Sequence, residues 1–277
     1  MNTEFRYSNV CRRAFTVIEL LAVLTILGLL AGLVLPALSK ARRTAQGAAC
    51  RNNLSQLQKA WLSYAHDNDD TLPPNILRRT NFDVVNVTGS WVLGNAQLDT
   101  DSANLKAGVL YLYAPADKLY RCPADSSRVP DHPAVLKTRS YAIDQWLNCN
   151  PVTGTQQDII NDTPFNVRKL GRLMTPGPSK TWVFIEEHEL SIETGSFSIP
   201  NPWWEGVYIP DTASWIARPA NRHENGIYLS FADGHVDSHH WRYGRLSAND
   251  LRKFDPVHGP DDLADLKWLF DGEPQVP

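Results

Sequence analysis

Apolar side chains are concentrated near the start of this chain. Residues 15–38 read FTVIELLAVLTILGLLAGLVLPAL, and the only ionisable side chain in that run is Glu19. About twenty apolar residues cross a bilayer as a helix, so the run is long enough to span. A secretory signal peptide has a shorter apolar core, roughly 7–15 residues, and no reason to carry a carboxylate. Pro36 lacks an amide hydrogen and predicts a kink or local melting late in the run. Gly28 and Gly32 form a small-xxx-small pair that would let two such helices approach closely. From 39 to about 66 the pattern becomes amphipathic: Leu54, Leu57, Trp61 and Tyr64 recur three or four apart, a helical stripe that should pack on a sheet. Gly47 is a weak point in it.

The turn-rich stretch His66-Asp67-Asn68-Asp69-Asp70 ends this helix. Beyond it, Pro and Gly punctuation is frequent and the apolar runs are short, β-branched or aromatic, as in Thr181-Trp182-Val183-Phe184-Ile185. The clearest local signal runs from Asn225 to Asp237, where alternating residues lead into Asp233-Gly234 and out again, as in a tight hairpin. The expected fold class is α+β: a long N-terminal helix, transmembrane then amphipathic, packed on a small antiparallel β-sheet domain with long loops. The expected segments are 1–14, 15–38, 39–66 and 67–277.

Charge narrows the partners. Lys and Arg total 27 against 30 acidic residues, a net charge of -3, which offers no overall attraction to nucleic acid. Glu19 needs a partner, because an unpaired charge inside a bilayer costs about 3 kcal/mol or more. Arg6, Arg12 and Arg13 before the span are balanced by Lys40, Arg42, Arg43 and Arg51 after it, so the positive-inside rule alone does not orient it.

Ala14-Phe15-Thr16-Val17-Ile18-Glu19-Leu20-Leu21 resembles the prepilin-type cleavage and methylation motif of type IV pilin-like proteins and type II secretion pseudopilins. Carried over by position, the resemblance implies cleavage between Ala14 and Phe15 and methylation of the new amine at Phe15. Alanine at 14 stands where the family usually has glycine, and is small enough to enter a peptidase site. The resemblance implies that Glu19 neutralises the amine of a neighbouring subunit, and that Pro36 kinks or locally melts the helix. Nine residues separate His223 from Asp233-Gly234, which resembles the H-X9-DG signature of a large group of prepilin-processed proteins. Cys50-Arg51-Asn52-Asn53-Leu54, Cys122-Pro123-Ala124-Asp125 and Ser140-Tyr141-Ala142 also look like elements of that group.

The resemblance implies a structural subunit rather than an enzyme. Its partners would be the prepilin peptidase/methyltransferase, other pilin-like subunits and an inner-membrane assembly platform. Residues 1–14 would be cytoplasmic, with the globular domain in the periplasm of a bacterium. The alternative is a singly anchored envelope module that captures a ligand through the aromatic loop Pro202-Trp203-Trp204-Glu205-Gly206-Val207-Tyr208. Aromatics there could stack on sugars or anchor a protein, or simply pack under the loop.

Outside the cytoplasm disulfides persist. Cys11 would leave with the leader; among Cys50, Cys122 and Cys149, a Cys50–Cys122 bridge would tie helix to sheet, although pairing is not readable from sequence. His223, His235, His239, His240, Asp233 and Asp237 suggest a transition-metal cluster, but His235 and His239 on one strand stand roughly 13 Å apart, too far for joint ligation. The expectation is therefore no catalytic metal, with His223 and Asp233 stabilising turns. Asp67, Asp69 and Asp70, or Asp99 and Asp101, could bind calcium in exported loops, as some pseudopilins do, or be solvated turns. Glu186, Glu187 and Glu189 superficially suggest a carboxylate pair; only Glu187 and Glu189 share a strand face, and an exposed edge is the expected setting. Neither a G-x-S-x-G elbow nor a Gly-rich phosphate loop occurs.

Overall fold

The computed structural model describes residues 16–79, 83–149, 166–199, 203–204, 207–208, 214–244 and 255–274. The chain divides into two units, 1–44 and 45–277, and one helix, α1 (Val17–Asp67), contributes to both.

In the first unit every described side chain is exposed. Here α1 contains the one stretch, among the described residues, long and apolar enough to cross a membrane. The helix opens on a reciprocal capping pair. Glu19 Oε2 accepts from the Thr16 amide at 2.9 Å and from its hydroxyl at 2.7 Å, while Thr16 Oγ1 accepts the Glu19 amide at 3.3 Å. This Thr-x-x-Glu arrangement satisfies backbone donors that the first turn leaves without partners. Thr25 and Ser39 donate to the carbonyls of Leu21 and Leu35 at 2.8 and 3.0 Å, so these hydroxyls are satisfied within the helix. Of the kink or local melting expected at Pro36, local melting is absent: α1 runs through it as one helix. A proline forfeits one backbone bond, and in an apolar segment the helix remains the one way to satisfy the backbone groups around it.

In the second unit, burial along α1 starts at Gly47 and recurs at Cys50 and then at Leu54, Leu57 and Trp61 of the predicted stripe, whose fourth member, Tyr64, is half-buried. Asp69 and Asp70 take positive φ values of 51° and 65° as the chain turns away, a conformation short polar side chains tolerate. Two small antiparallel pairs follow, β1 (Leu77–Arg79) with β2 (Val84–Asn86) and β3 (Arg128–Val129) with β4 (His132–Leu136). They are joined by segments that include the short helix α2 (Ala103–Lys106).

The main sheet uses β5 (Tyr141–Asp144), β6 (Trp182–Glu186), β7 (Ser196–Phe197), β11 (Gly226–Phe231) and β12 (Val236–His240), in the order β12-β11-β6-β5-β7. Its pairs are antiparallel except β5 with β7, which is parallel through Ile143↔Ser196 and Asp144↔Phe197, so the sheet is mixed rather than purely antiparallel. β8 (Trp203–Trp204) pairs with β9 (Val207–Tyr208), and β10 (Ser214–Trp215) with β13 (Asp255–Pro256).

Two cores cover the sheet. Leu54, Leu57 and Trp61 of α1 pack with Tyr141, Ile143, Val183 and Phe184. Trp182, Ile185, Phe197 and Leu229 pack with Leu266 and Leu269 of a C-terminal helix, α3 (Gly259–Asp271), and the Trp182 indole donates to the Leu269 carbonyl at 2.9 Å. A helix in this region is not among the elements expected from sequence. Its signals are nevertheless ordinary: Pro260 in the first turn, Asp261 and Asp262 beside the positive end of the helix dipole, and Gly272 after its last residue.

One buried cation yields a pH prediction. Lys137 is 3 % exposed; its Nζ donates to Gln97 Oε1 and the Glu189 carbonyl, and burial pushes its pKa down to about 8 from 10.5. Between these values the folded chain holds fewer protons than the unfolded one, so this group makes stability rise with pH across that window. Urea unfolding at pH 7.5 and 10 should show that rise reduced in Lys137→Gln relative to the unaltered chain; an equal rise in both would disprove it.

Candidate functional site

Four residues far apart in the chain meet beside α1. Cys50 lies on the buried stripe of the helix, and Cys122 follows a 3-10 turn, Asp117–Tyr120. Glu186 ends β6, and His223 precedes β11. Each is held by identifiable neighbours. Asn53, one turn along α1 from Cys50, donates to the carbonyls of Lys118 and Arg121 at 3.1 and 3.0 Å, which pins the Cys122 loop against the helix. The Cys122 amide donates to Ser140 Oγ at 3.2 Å, and that hydroxyl donates to Asp125 Oδ2 at 2.5 Å. His223 is placed by a two-residue turn: Glu224 and Asn225 have φ of 54° and 62°, as a type I′ turn requires, and the His223 amide donates to the Gly226 carbonyl at 3.1 Å. Gly226 must lack a side chain, since a Cβ there would lie 2.4 Å from the His239 carbonyl oxygen. Gly47, a weak point by propensity, is explained too: a Cβ would sit 3.0 Å from the Tyr228 hydroxyl and 3.6 Å from His223 Nδ1.

One donor atom from each of Cys50, Cys122, Glu186 and His223 lies within 4.8 Å of the other three. His223 Nε2 is 3.0 Å from Glu186 Oε1 and 3.4 Å from Cys122 Sγ. Cys50 Sγ contacts Glu186 Oε1 and lies 3.1 Å from the Tyr141 hydroxyl. Both cysteines and Glu186 are wholly buried, and the His223 side chain is 10 % exposed. The titration behaviour reflects this crowding. The hydrogen bond from Cys50 lowers the Cys122 thiol to about 7 against the opposing effect of burial. Burial alone would lower His223, but its hydrogen bonds to Cys122 and Glu186 outweigh that and raise it to about 9. Burial pushes Cys50 up. Arg222, adjacent in sequence, puts Nη2 3.4 Å from Asp125 Oδ2 and 3.0 Å from Glu189 Oε2, and its charge is also coupled to Glu186 and Cys122.

The structure distributes the residues singled out by sequence unevenly. Cys50 and Cys122 come together as a helix-to-sheet tie would need, but as thiols without a bond between them. Cys149 lies apart, Sγ 3.7 Å from Ser196 Oγ. The fragments around Cys50, Cys122, Ser140 and Tyr141 converge on one place, as does His223. Asp233 and Gly234 do not: they sit at the other end of β11, in the predicted hairpin turn. There Gly234 has φ +103° and Asp233 Oδ1 accepts the His235 amide at 3.1 Å. The turn-stabilising role therefore fits the Asp233 side chain, while that of His223 faces the cysteines. His235 stacks on Phe231 at 4.3 Å and His239 on Trp268 at 3.7 Å, in separate surroundings.

Glu186 is the residue whose role sequence reasoning missed. The exposed edge expected for Glu187 and Glu189 is wrong for Glu187, which is 2 % exposed directly after β6, and its neighbour Glu186, at the end of β6, is 0 % exposed, because β6 lies at the centre of the sheet. A carboxylate ending the run Trp-Val-Phe-Ile was the available signal. Of the calcium candidates, Asp70 accepts the Gly171 amide at 2.8 Å, Asp101 the Ala103 amide at 2.8 Å, and Asp99 faces buried Arg139 at 3.4 Å; these carboxylates serve a long-range loop contact, a local turn and an ion pair. Ala14 and Phe15 lie outside the described residues, as do Pro202, Glu205 and Gly206 of the aromatic loop.

Comparison of the chain with protein-family models, with curated proteins and with solved structures returns no match in any of the three.

Proposed function

We propose that this chain is a pilin-like structural subunit, anchored in a bacterial inner membrane by residues 15–38 with its globular unit in the periplasm. A prepilin peptidase removes residues 1–14 and methylates Phe15, and helix packing then assembles the subunit into a type II secretion pseudopilus or a related type IV filament on an inner-membrane platform. The observation that carries this reading is Glu19, the only ionisable residue of an otherwise apolar run. The exposure of that run, with Leu33 and Val17 each 77 % accessible, supports it, since such a surface calls for lipid or for other helices. The long amphipathic continuation packed on a small sheet is consistent with it as well.

Cleavage before Phe15 would create an amine able to neutralise the carboxylate of the next subunit, which sets axial register without leaving a lone charge in lipid. Intact-mass measurement on the protein from membranes is expected to show loss of residues 1–14 and one added methyl group on Phe15. Retention of the leader would remove the basis of the assignment.

A further inference from the structure

We propose that Cys50, Cys122, Glu186 and His223 form a closed, four-coordinate structural site for one zinc ion, fastening α1 to β6 and to the loops before β3 and β11. Two sulfurs, one imidazole nitrogen and one carboxylate oxygen are a zinc donor set, whereas calcium and magnesium take oxygen ligands alone. The geometry agrees. With bonds of about 2.3 Å to sulfur and 2.0–2.2 Å to nitrogen and oxygen, the donor-to-donor edges of a tetrahedral zinc site are about 3.3–3.8 Å. The pairs His223–Cys122 and His223–Glu186 stand at 3.4 and 3.0 Å and no pair exceeds 4.8 Å, while the Cys50–Glu186 contact is closer than such an edge, so metal binding requires these two side chains to move apart.

A second observation points to a ligand rather than to a disulfide. Joining Cys50 to Cys122 would use neither the imidazole nor the carboxylate. Glu186 Oε2 is buried and has no hydrogen-bond partner among the described residues, His223 reaching only Oε1, a costly state for a carboxylate oxygen. The surroundings also suit a metal–thiolate centre. The Tyr141 hydroxyl is within hydrogen-bond distance of Cys50 Sγ, and Arg222 offsets the negative charge of two thiolates and a carboxylate around a divalent ion. Four protein donors leave no open position, which makes the site structural rather than catalytic. On binding, each cysteine thiol and the protonated His223 ring give their protons to solvent, and His223 coordinates as the neutral imidazole.

The test uses the full chain purified in detergent without added chelator, with metal measured by elemental mass spectrometry and thiols by titration after denaturation. One zinc per chain and reduced Cys50 and Cys122 are expected. Cys122→Ser and His223→Ala should reduce the zinc to background, while Cys149→Ser should leave it unchanged. Because ligand variants can also misfold, the unaltered chain is stripped, reduced and reloaded with Co(II) alone, where a thiolate charge-transfer band and a tetrahedral visible spectrum are expected. Tyr141→Phe should retain that spectrum with cobalt affinity about tenfold weaker. A Cys50–Cys122 disulfide in the purified chain, a different resident metal, zinc unaffected in both ligand variants, or a cobalt-loaded chain without the thiolate band would each overturn the proposal. None of these results bears on the filament reading, since none of the four ligands lies within residues 15–38.

Discussion

Glu19→Gln is expected to leave the start of α1 intact and to weaken association between subunits about a hundredfold or more. The two roles open to this carboxylate differ in what they demand. The capping pair with Thr16 needs an acceptor at position 19, and glutamine supplies one. Neutralising a neighbouring amine in lipid needs the charge itself. Losing that pairing leaves an uncompensated amine at a cost of about 3 kcal/mol or more, about a hundredfold in association constant.

Two further substitutions complete the comparison. Thr16→Val removes the hydroxyl half of the cap at a cost of about 1 kcal/mol while keeping the carboxylate, and should still assemble. Glu19→Ala removes cap and charge together. Crosslinking through cysteines placed along residues 17–30 reads the outcome as oligomer ladders. Ladders of unchanged length in Glu19→Gln would reduce the carboxylate to a helix cap and remove the main support for a filament subunit.

Arg222→Met is expected to destabilise the globular unit by about 3–5 kcal/mol, the cost of stranding a buried charge. The arginine side chain is 8 % exposed and faces Asp125, whose side chain is 2 % exposed, at 3.4 Å. It also pairs with Glu189 at 3.0 Å and donates to the Glu187 carbonyl at 3.0 Å. Methionine replaces the bulk of the stem but leaves Asp125 without its cation, next to the loop that carries Cys122. Arg222→Lys should recover only part of the loss, because an ammonium lacks the planar fork that reaches these separate oxygens. Chemical unfolding followed by tryptophan fluorescence measures the difference. A loss below about 1 kcal/mol would mean that the pair behaves as a solvated surface bridge.

How much of this was legible in the residues varies with the range of the interaction involved. The helix stripe Leu54, Leu57, Trp61, the strand over Trp182–Glu186 and the hairpin at Asp233-Gly234 could each be read directly, because period and turn chemistry act over a few residues. Pro36 does not melt the helix, since losing one backbone bond does not outweigh the bonds retained on either side. The C-terminal helix could have been read from its Pro and Asp start, but its length is only 13 residues, and what stabilises it is the packing of Leu266 and Leu269 on the sheet.

By itself the sequence determined that an apolar run with a single carboxylate forms a helix, from Val17 on, that this helix continues as an amphipathic one, and that short strands with tight turns follow. Tertiary structure alone decided that Cys50 would meet Glu186, 136 positions away, and that Cys122 would meet His223 across 101. Side-chain period states which face of an element is buried. Which distant loops share that face depends on strand order, since β6 lies centrally between β11 and β5, and no local pattern encodes that order.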